Sequence, residues 1–380
     1  MTWQQWMQGL TVSGVCVALA GTAQAVEADF SGDVRTGFFS QHRHDRNGTS
    51  DTTDEFRLRL RAGVGIALSE QWQAKIRFAG RYSTDDRNHN HFEIFSQIPA
   101  DDGLRRGDST LDEIYLEHRP NAAWGVRVGR FQSKAELVGV AKKSLDRNDS
   151  PNTDITWTDG IQVTHKAENG WATTLIAQYN YRNGPTQVRR GQLNFGDDDS
   201  RVSYFAGFEN TRPLGPIVQR AIDITFLPEA LHSRGIGAGT VENYWGLVGR
   251  LAAQWPMAGS MKFMLAGELG YAPNTPQRRA TRTGSSGDAD GLAAQVSFNL
   301  INFVPQHSVA LVLGRAGDGW LISPDFAENG NLAEVRYQWA FAKNQSVEAR
   351  LRHREDIRQR TGSVDKREDV DYYVRYNYRF

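Results

Sequence analysis

The sequence predicts an all-β fold, a transmembrane antiparallel β-barrel of about sixteen strands. Three observations support this prediction. Apolar and polar residues alternate along many segments, short and long connections alternate between those segments, and the only cysteine of the 380-residue chain lies within the first 25 residues. The mean hydropathy of −0.55 fits such a barrel, because only alternate residues of its strands face lipid. A closed barrel also needs no disulfides, since each strand is hydrogen-bonded on both sides.

The clearest alternation lies in residues 54–83. Phe56, Leu58 and Leu60 alternate with three arginines, and after a short turn the segment 72–83 alternates again, which predicts a β-hairpin. The same pattern predicts sixteen strands, at residues 29–39, 55–68, 71–83, 110–119, 124–131, 160–166, 171–182, 200–210, 217–228, 241–253, 260–272, 291–299, 306–316, 331–341, 346–355 and 370–380.

The connections between these segments alternate in length. Short links follow the even-numbered strands, as at residues 70–71, 167–170 and 343–344. Longer polar links follow the odd-numbered strands, as at residues 41–53 and 133–159. Outer-membrane barrels have this arrangement, with short turns facing the periplasm and long loops facing outside. An even number of strands then places both ends of the chain on the short-turn side.

The first 25 residues predict a cleaved secretory signal peptide. Residues 10–25 are apolar or small, and Ala23-Gln24-Ala25 fits a cleavage site, although the first nine residues carry no Lys or Arg. Cys16 lies inside this segment, so the mature chain would have no cysteine. The predicted organisation is a signal peptide at residues 1–25 and one β-barrel domain at residues 26–380.

Over its mature length the chain resembles a Gram-negative outer-membrane porin. The last segment contributes to the resemblance. Aromatic or apolar residues occupy its alternate positions, at Tyr372, Val374, Tyr376, Tyr378 and Phe380. In outer-membrane proteins, the barrel-assembly machinery recognises a last strand with this pattern. The resemblance implies an integral outer-membrane protein that forms a homotrimer and contacts lipid and lipopolysaccharide.

The link at residues 133–159 is the longest connection with an apolar patch of its own. Ala135, Leu137, Val138 and Val140 form this patch, for which we expect a short helix. The resemblance implies that the third extracellular loop, which follows the fifth strand, folds into the barrel and narrows the pore. An external flap is the alternative. The predicted acids of this constriction loop are Glu136, Asp146, Asp149 and Asp154.

A row of cations is predicted on the inward faces of the first three and last three strands. Barrel closure makes these strands neighbours, so the cations would form one basic wall. Its members are Arg35, Arg57, Arg59, Arg61, Lys75, Arg77, Arg81, Arg336, Arg350, Arg352, Arg354, Arg375 and Arg379. Rings of Arg or Lys favour anions in a pore. The alternative is that the arginines pair with acids such as Glu113 and Glu117 to hold the shape of the barrel.

These features predict a passive diffusion channel for small hydrophilic solutes and ions, with a preference for anions. A substrate-selective porin for anionic solutes, such as phosphate or carboxylates, is the alternative. A barrel enzyme (a lipase or protease) and a structural adhesin are less favoured, because no nucleophile stands beside His118, His165 or His353 in a catalytic pattern.

We expect no cofactor, no metal and no nucleic-acid partner. The 44 basic and 44 acidic side chains balance, which gives no reason for nucleic-acid binding. His42 and His44, like His89 and His91, stand two residues apart in predicted loops, where solvation is favoured over a surface metal site.

Overall fold

In the computed structural model, which describes residues 27–84, 109–149, 153–180, 191–196, 198–239 and 241–380, sixteen strands close into one antiparallel barrel. They are β1 (Ala28–His44), β2 (Ser50–Ala67), β3 (Trp72–Ser83), β4 (Ser109–His118), β5 (Trp124–Phe131), β8 (Thr158–Lys166), β9 (Trp171–Tyr179), β10 (Val202–Asn210), β11 (Ile217–His232), β12 (Val241–Pro256), β13 (Lys262–Tyr271), β14 (Leu292–Val304), β15 (His307–Ala316), β16 (Gly330–Ala342), β17 (Gln345–Asp356) and β18 (Glu368–Arg379).

Two more strands, β6 (Lys134–Ala135) and β7 (Arg147–Asn148), pair with each other within the connection between β5 and β8. The described helical structure is limited to α1 (Arg278–Thr281) and a 3₁₀ turn at Asp198–Arg201. Among the described residues, no helix is long and apolar enough to cross a membrane. The predicted signal peptide lies outside the described residues.

The prediction of an antiparallel barrel of sixteen strands is confirmed, and each predicted segment corresponds to one barrel strand. The largest difference lies at residues 41–53, which were expected to form a loop. There β1 and β2 continue to the pair His44↔Ser50, so the connection has only five residues and His42 and His44 lie on a strand. Polar residues fill both faces at this end of the barrel, so the alternation that marks a strand in the sequence disappears.

The barrel closes between its first and last strands. Phe38 lies opposite Val374 and Gly37 opposite Arg375 in the register of β1 and β18. Each strand is therefore paired on both edges, which satisfies the backbone groups that an open sheet would expose.

The outward face of the barrel is apolar on every side. Large side chains stand exposed there at the positions that alternate with the lumen-facing residues, for example Phe56 at 50% and Leu351 at 56% exposure. Others are Ile76, Ile114, Val128, Ile161, Leu175, Ile222, Leu247, Leu269, Leu292, Leu311, Val335 and Tyr372. A continuous apolar surface of this extent is suited to contact with lipid rather than water.

The buried core lies inside the barrel. The largest cluster of buried apolar side chains combines wall residues such as Tyr244 and Val312 with residues of three inward-folded connections, including Leu145, Phe195 and Trp320. A sequence with one apolar face per strand predicts no such core, because these apolar residues belong to connections and not to strands.

Candidate functional site: the barrel lumen

The described residues of the connection between β5 and β8, 132–149 and 153–157 (here the inner loop), lie inside the barrel. Its backbone N–H groups donate to inward side chains of the opposite wall. Val138 donates to Gln219 Oε1 on β11 at 3.0 Å. Val140 donates to Asn299 Oδ1 on β14 at 2.9 Å, and Leu145 donates to Glu268 Oε2 on β13 at 3.0 Å. The loop therefore crosses the lumen and does not form an external flap.

The expected short helix in the inner loop is wrong. Residues 134–135 instead pair with residues 147–148, and the chain between them is bent and irregular. The barrel wall explains the difference, because wall side chains also bond the carbonyl groups of the loop. Arg250 donates to Ala135 O at 2.7 Å and Arg336 donates to Ala141 O at 2.8 Å. A helix would need these backbone groups for its own hydrogen bonds.

The four predicted acids of the inner loop differ in their contacts and in their burial. Glu136 lines the open part of the lumen and pairs with Lys134 at 3.5 Å. Asp146 accepts from Thr225 Oγ1 on β11 at 2.7 Å, and Asp149 accepts from the Ser133 N–H at 2.7 Å. Asp154 pairs with Arg81 of β3 at 3.0 Å. Asp146 and Asp149 are buried, so they hold the loop in place instead of facing a solute.

A second connection, residues 317–329 between β15 and β16 (here the clamp loop), holds the inner loop. Trp320 Nε1 donates to Leu145 O at 3.0 Å, and Ser323 Oγ donates to Ser144 O at 2.9 Å. Asp325 accepts from the Ser144 N–H at 2.9 Å and from Asn148 Nδ2 at 3.0 Å. The role of this loop was not predicted from the sequence. Its signal is the apolar run Trp320-Leu321-Ile322 within a polar connection.

Inward-facing glycines of the wall make room for the clamp loop. A Cβ at Gly270 would lie 2.8 Å from the Trp320 ring. A Cβ at Gly314 would lie 2.2 Å from the Phe326 ring. Since real Cβ atoms do not approach other atoms this closely, the two aromatic rings occupy the space that glycine leaves in the wall.

The predicted basic wall forms a continuous set of strands across the seam, in the order β3, β2, β1, β18, β17 and β16. Its cations alternate with acids in a network of ion pairs. These pairs join Asp33 to Arg59 and Arg61, Asp112 to Arg77, Glu113 to Lys75, Glu55 to Arg57, Glu348 to Arg336 and Arg375, and Asp371 to Arg350 and Arg352.

The wall residues differ in their access to the lumen. Arg59 has no exposed surface and bonds Asp33 at 2.8 Å and Asp154 O at 3.1 Å. It acts as a structural tie between the wall and the inner loop. Arg35, Arg336 and Arg375 line the open cavity. The sequence leaves open whether the arginines line the lumen or hold the shape of the barrel. In the structure some arginines do the first and others the second.

The open cavity lies between the basic wall and the inner loop and has a volume of about 310 Å³. Seven cations line it, at Arg35, Lys134, Lys142, Arg336, Lys343, Arg375 and Arg379. Four acids line it, at Asp33, Glu136, Asp325 and Glu348. The formal charge of the lining is thus 7 − 4 = +3. Such a charge attracts anions, because the low-dielectric protein around the cavity reduces screening.

Lys143 of the inner loop adds a titratable cation next to this cavity. Its ammonium group lies 2.9 Å from Glu334 of β16 and is 3% exposed. Burial lowers the pKa of Lys143 to about 8, and the neighbouring carboxylate opposes this shift without cancelling it. Lys143 therefore loses its positive charge above about pH 8, whereas an exposed lysine keeps it to about pH 10.4.

Anion preference is expected to fall as the pH rises from 7 to 9. The reason is the loss of the Lys143 charge beside the cavity, and reversal potentials in a salt gradient at several pH values measure the effect. Lys143→Arg is the matched variant, since it keeps the cation and should flatten the pH profile over this range. If Lys143→Arg has the same pH profile as the wild type, another group causes the change in anion preference.

A closed antiparallel barrel with an apolar exterior, a charged lumen and an inward-folded loop after its fifth strand has the architecture of an outer-membrane porin. The comparison with solved structures agrees. The chain has the fold of Pseudomonas putida OprB, with a TM-score of 0.60 and 10% identity, over 93% of this chain and 94% of that one.

Two further solved structures share the fold. An anion-selective porin from Comamonas acidovorans has a TM-score of 0.53 and 12% identity, over 93% of this chain and 100% of that one. Pseudomonas aeruginosa OpdK, determined with vanillate, has a TM-score of 0.51 and 12% identity, over 93% of this chain and 99% of that one. No protein-family model matches the chain, and no curated protein matches it by sequence.

Proposed function

We propose that the protein is an outer-membrane porin, a passive diffusion channel for small hydrophilic solutes and ions that prefers anions. The observation that carries this proposal is the lumenal cavity, whose lining has a formal charge of +3 and lies between the basic wall and the inner loop. The apolar outer face supports the membrane location. The fold shared with an anion-selective porin supports the direction of the preference.

The inner loop is the constriction of the proposed pore. Its hydrogen bonds to β11, β13 and β14 hold it against one side of the barrel, and Glu136 and Lys142 face the cavity from it. The acid side of the constriction includes Asp325 of the clamp loop, so two loops contribute to the field across the passage. Solutes then pass between these groups and Arg35, Arg336 and Arg375 of the wall.

Planar-bilayer recording of the refolded protein tests the proposal. Stable open channels are expected, with a reversal potential in a KCl gradient that has the sign of chloride preference. Inserted protein without conductance would contradict the channel and favour a structural barrel. A hydrolase assay on the same preparation tests the enzyme alternative, since the proposed passage involves no catalysis.

A substrate-selective porin for anionic solutes such as phosphate or carboxylates is the second candidate. The vanillate of the OpdK structure favours it, because a carboxylate would find complementary cations in the cavity. The discriminating measurement is the current in the presence of increasing phosphate or benzoate. A selective pore shows saturable block with one of these anions, and a general diffusion pore shows none.

The remaining parts of the proposal concern export and assembly. Residues 1–25 would be removed as a signal peptide. Tyr372, Val374, Tyr376, Tyr378 and Phe380 would serve as the signal for the barrel-assembly machinery. Within the membrane the protein would contact lipid and lipopolysaccharide as a homotrimer. Mass spectrometry of the mature protein and native electrophoresis test the first and last of these statements.

A further inference from the structure

Three histidines each lie with their ring against a tryptophan ring of the neighbouring strand. The pair Trp72 and His118 joins β3 to β4, with ring centroids 4.3 Å apart. The pair Trp124 and His165 joins β5 to β8 at 4.4 Å. The third pair, His307 and Trp339, joins β15 to β16 at 5.5 Å. In each case the two residues are direct partners in the strand register, so they share one face of the sheet.

That face is the outer one, at the short-turn end of the barrel. Trp72, Trp124 and Trp339 are each about 40% exposed, in line with the apolar outer surface. His118 and His165 are the last or next-to-last residues before short links, and His307 directly follows one. Rings at this height lie where a membrane's hydrocarbon ends and its headgroups begin.

The cross-strand neighbours of these histidines are uncharged. His118 lies between Trp72 and Val126, and His165 lies between Trp124 and Thr173. His307 lies between Trp339 and Val304, and its ring also bonds the Tyr337 hydroxyl. Along the chain, Glu117 and Arg119 flank His118 and pair with each other at 3.0 Å, while Lys166 follows His165 and Gln306 precedes His307.

Histidines at the opposite end have carboxylate partners instead. His44 lies 3.2 Å from Asp365, and His353 lies 2.9 Å from Glu368. In the described part of the chain, no ion pair involves His118, His165 or His307. A protonated imidazole at the short-turn end therefore has an indole face on one side and no carboxylate to neutralise it. The indole face itself favours the cation.

We propose that the three His–Trp pairs form a pH-dependent contact surface for the headgroups of anionic phospholipids. The inference rests on the proposed membrane location. Histidine is the side chain whose charge changes on mild acidification, so each imidazole that gains a proton adds a cation at the depth of the lipid phosphates.

Electron spin resonance of spin-labelled lipids tests the proposal on the full-length barrel in phosphatidylcholine vesicles. The measured quantity is the motionally restricted fraction of labelled phosphatidylglycerol relative to labelled phosphatidylcholine. We expect the preference for phosphatidylglycerol to rise between pH 8 and pH 5.5, by about fivefold at each histidine site that gains a cation. His118→Gln/His165→Gln/His307→Gln should remove this rise.

His42→Gln/His353→Gln is the matched control, because it alters histidines of β1 and β17 at the long-loop end. It should keep the wild-type pH dependence.

The outcomes separate this inference from the proposed function. Restricted lipid with the same phosphatidylglycerol preference at both pH values, or a triple variant that keeps the rise, would overturn the inference and leave the channel intact. The absence of any restricted lipid would mean that the barrel does not insert, which would overturn both.

Discussion

Reversing three cations of the lumenal cavity is expected to turn an anion-preferring channel into a cation-preferring one. Lys142, Lys343 and Arg379 line the cavity, and none of them is buried. Lys142→Glu/Lys343→Glu/Arg379→Glu changes the formal charge of the lining from +3 to 3 − 6 = −3. At roughly 10 Å in water, six charge units amount to about 2 kcal/mol before screening, so we expect the ratio of cation to anion permeability to rise by about tenfold or more.

The reversal potential in a KCl gradient measures this change, and its sign should invert. The choice of residues is important, because Arg59 is fully buried between Asp33 and the inner loop, and a glutamate there would damage the fold. The matched control is Arg234→Glu/Arg282→Glu/Arg358→Glu, the same charge change on exposed connections outside the cavity. An equal shift in the control would show that overall charge, and not the cavity, determines selectivity.

Removing the Trp320 side chain is expected to release the inner loop and raise the single-channel conductance. The indole is fully buried and donates to Leu145 O at 3.0 Å, so Trp320→Ala removes both a hydrogen bond and a large ring from the lumenal core. Truncations of this kind cost about 3–5 kcal/mol, and here the loss falls on the contact that joins the clamp loop to the inner loop. Single-channel recording should show a larger and noisier open current than that of the wild type.

Two further variants separate release of the loop from general damage. Trp339→Ala removes an exposed tryptophan of the outer face and should leave the conductance unchanged. Gly270→Val fills the space that the Trp320 ring occupies without changing either loop, and should reproduce the noisy current of Trp320→Ala. Wild-type conductance in both Trp320→Ala and Gly270→Val would mean that the clamp loop does not position the inner loop.

The barrel strands were predictable because their signal is local. The alternation around Phe56 and Leu60 needs only the pleat of a strand and two environments, lipid on one side and the lumen on the other. The signal failed at residues 41–53, where both faces of the strands carry polar groups. It also failed at residues 135–140, where an apolar patch predicted a helix but wall side chains took the backbone hydrogen bonds.

The candidate site was predictable only in part. Alternate positions of a strand face the lumen, so the alternation around Arg336 and Arg375 was enough to place them in the basic wall. The alternation does not show which acid pairs with which cation. The burial of Arg59 and the anchoring contacts of Asp146 and Asp149 were therefore unexpected. Asp325 was missed because it reaches the cavity from a loop 181 residues away from its partner Ser144.

Local patterns in the chain specify the strand count, the side of the barrel on which each charge stands and, except at the five-residue connection between β1 and β2, the alternation of short turns and long loops. All three depend on neighbours within about a dozen residues. The filling of the lumen depends instead on tertiary contacts. Contacts between distant segments join the inner loop, the clamp loop and the glycines that make room for Trp320 and Phe326. Complementary shapes of distant segments produce no repeating pattern in the sequence, so they could not be predicted from it.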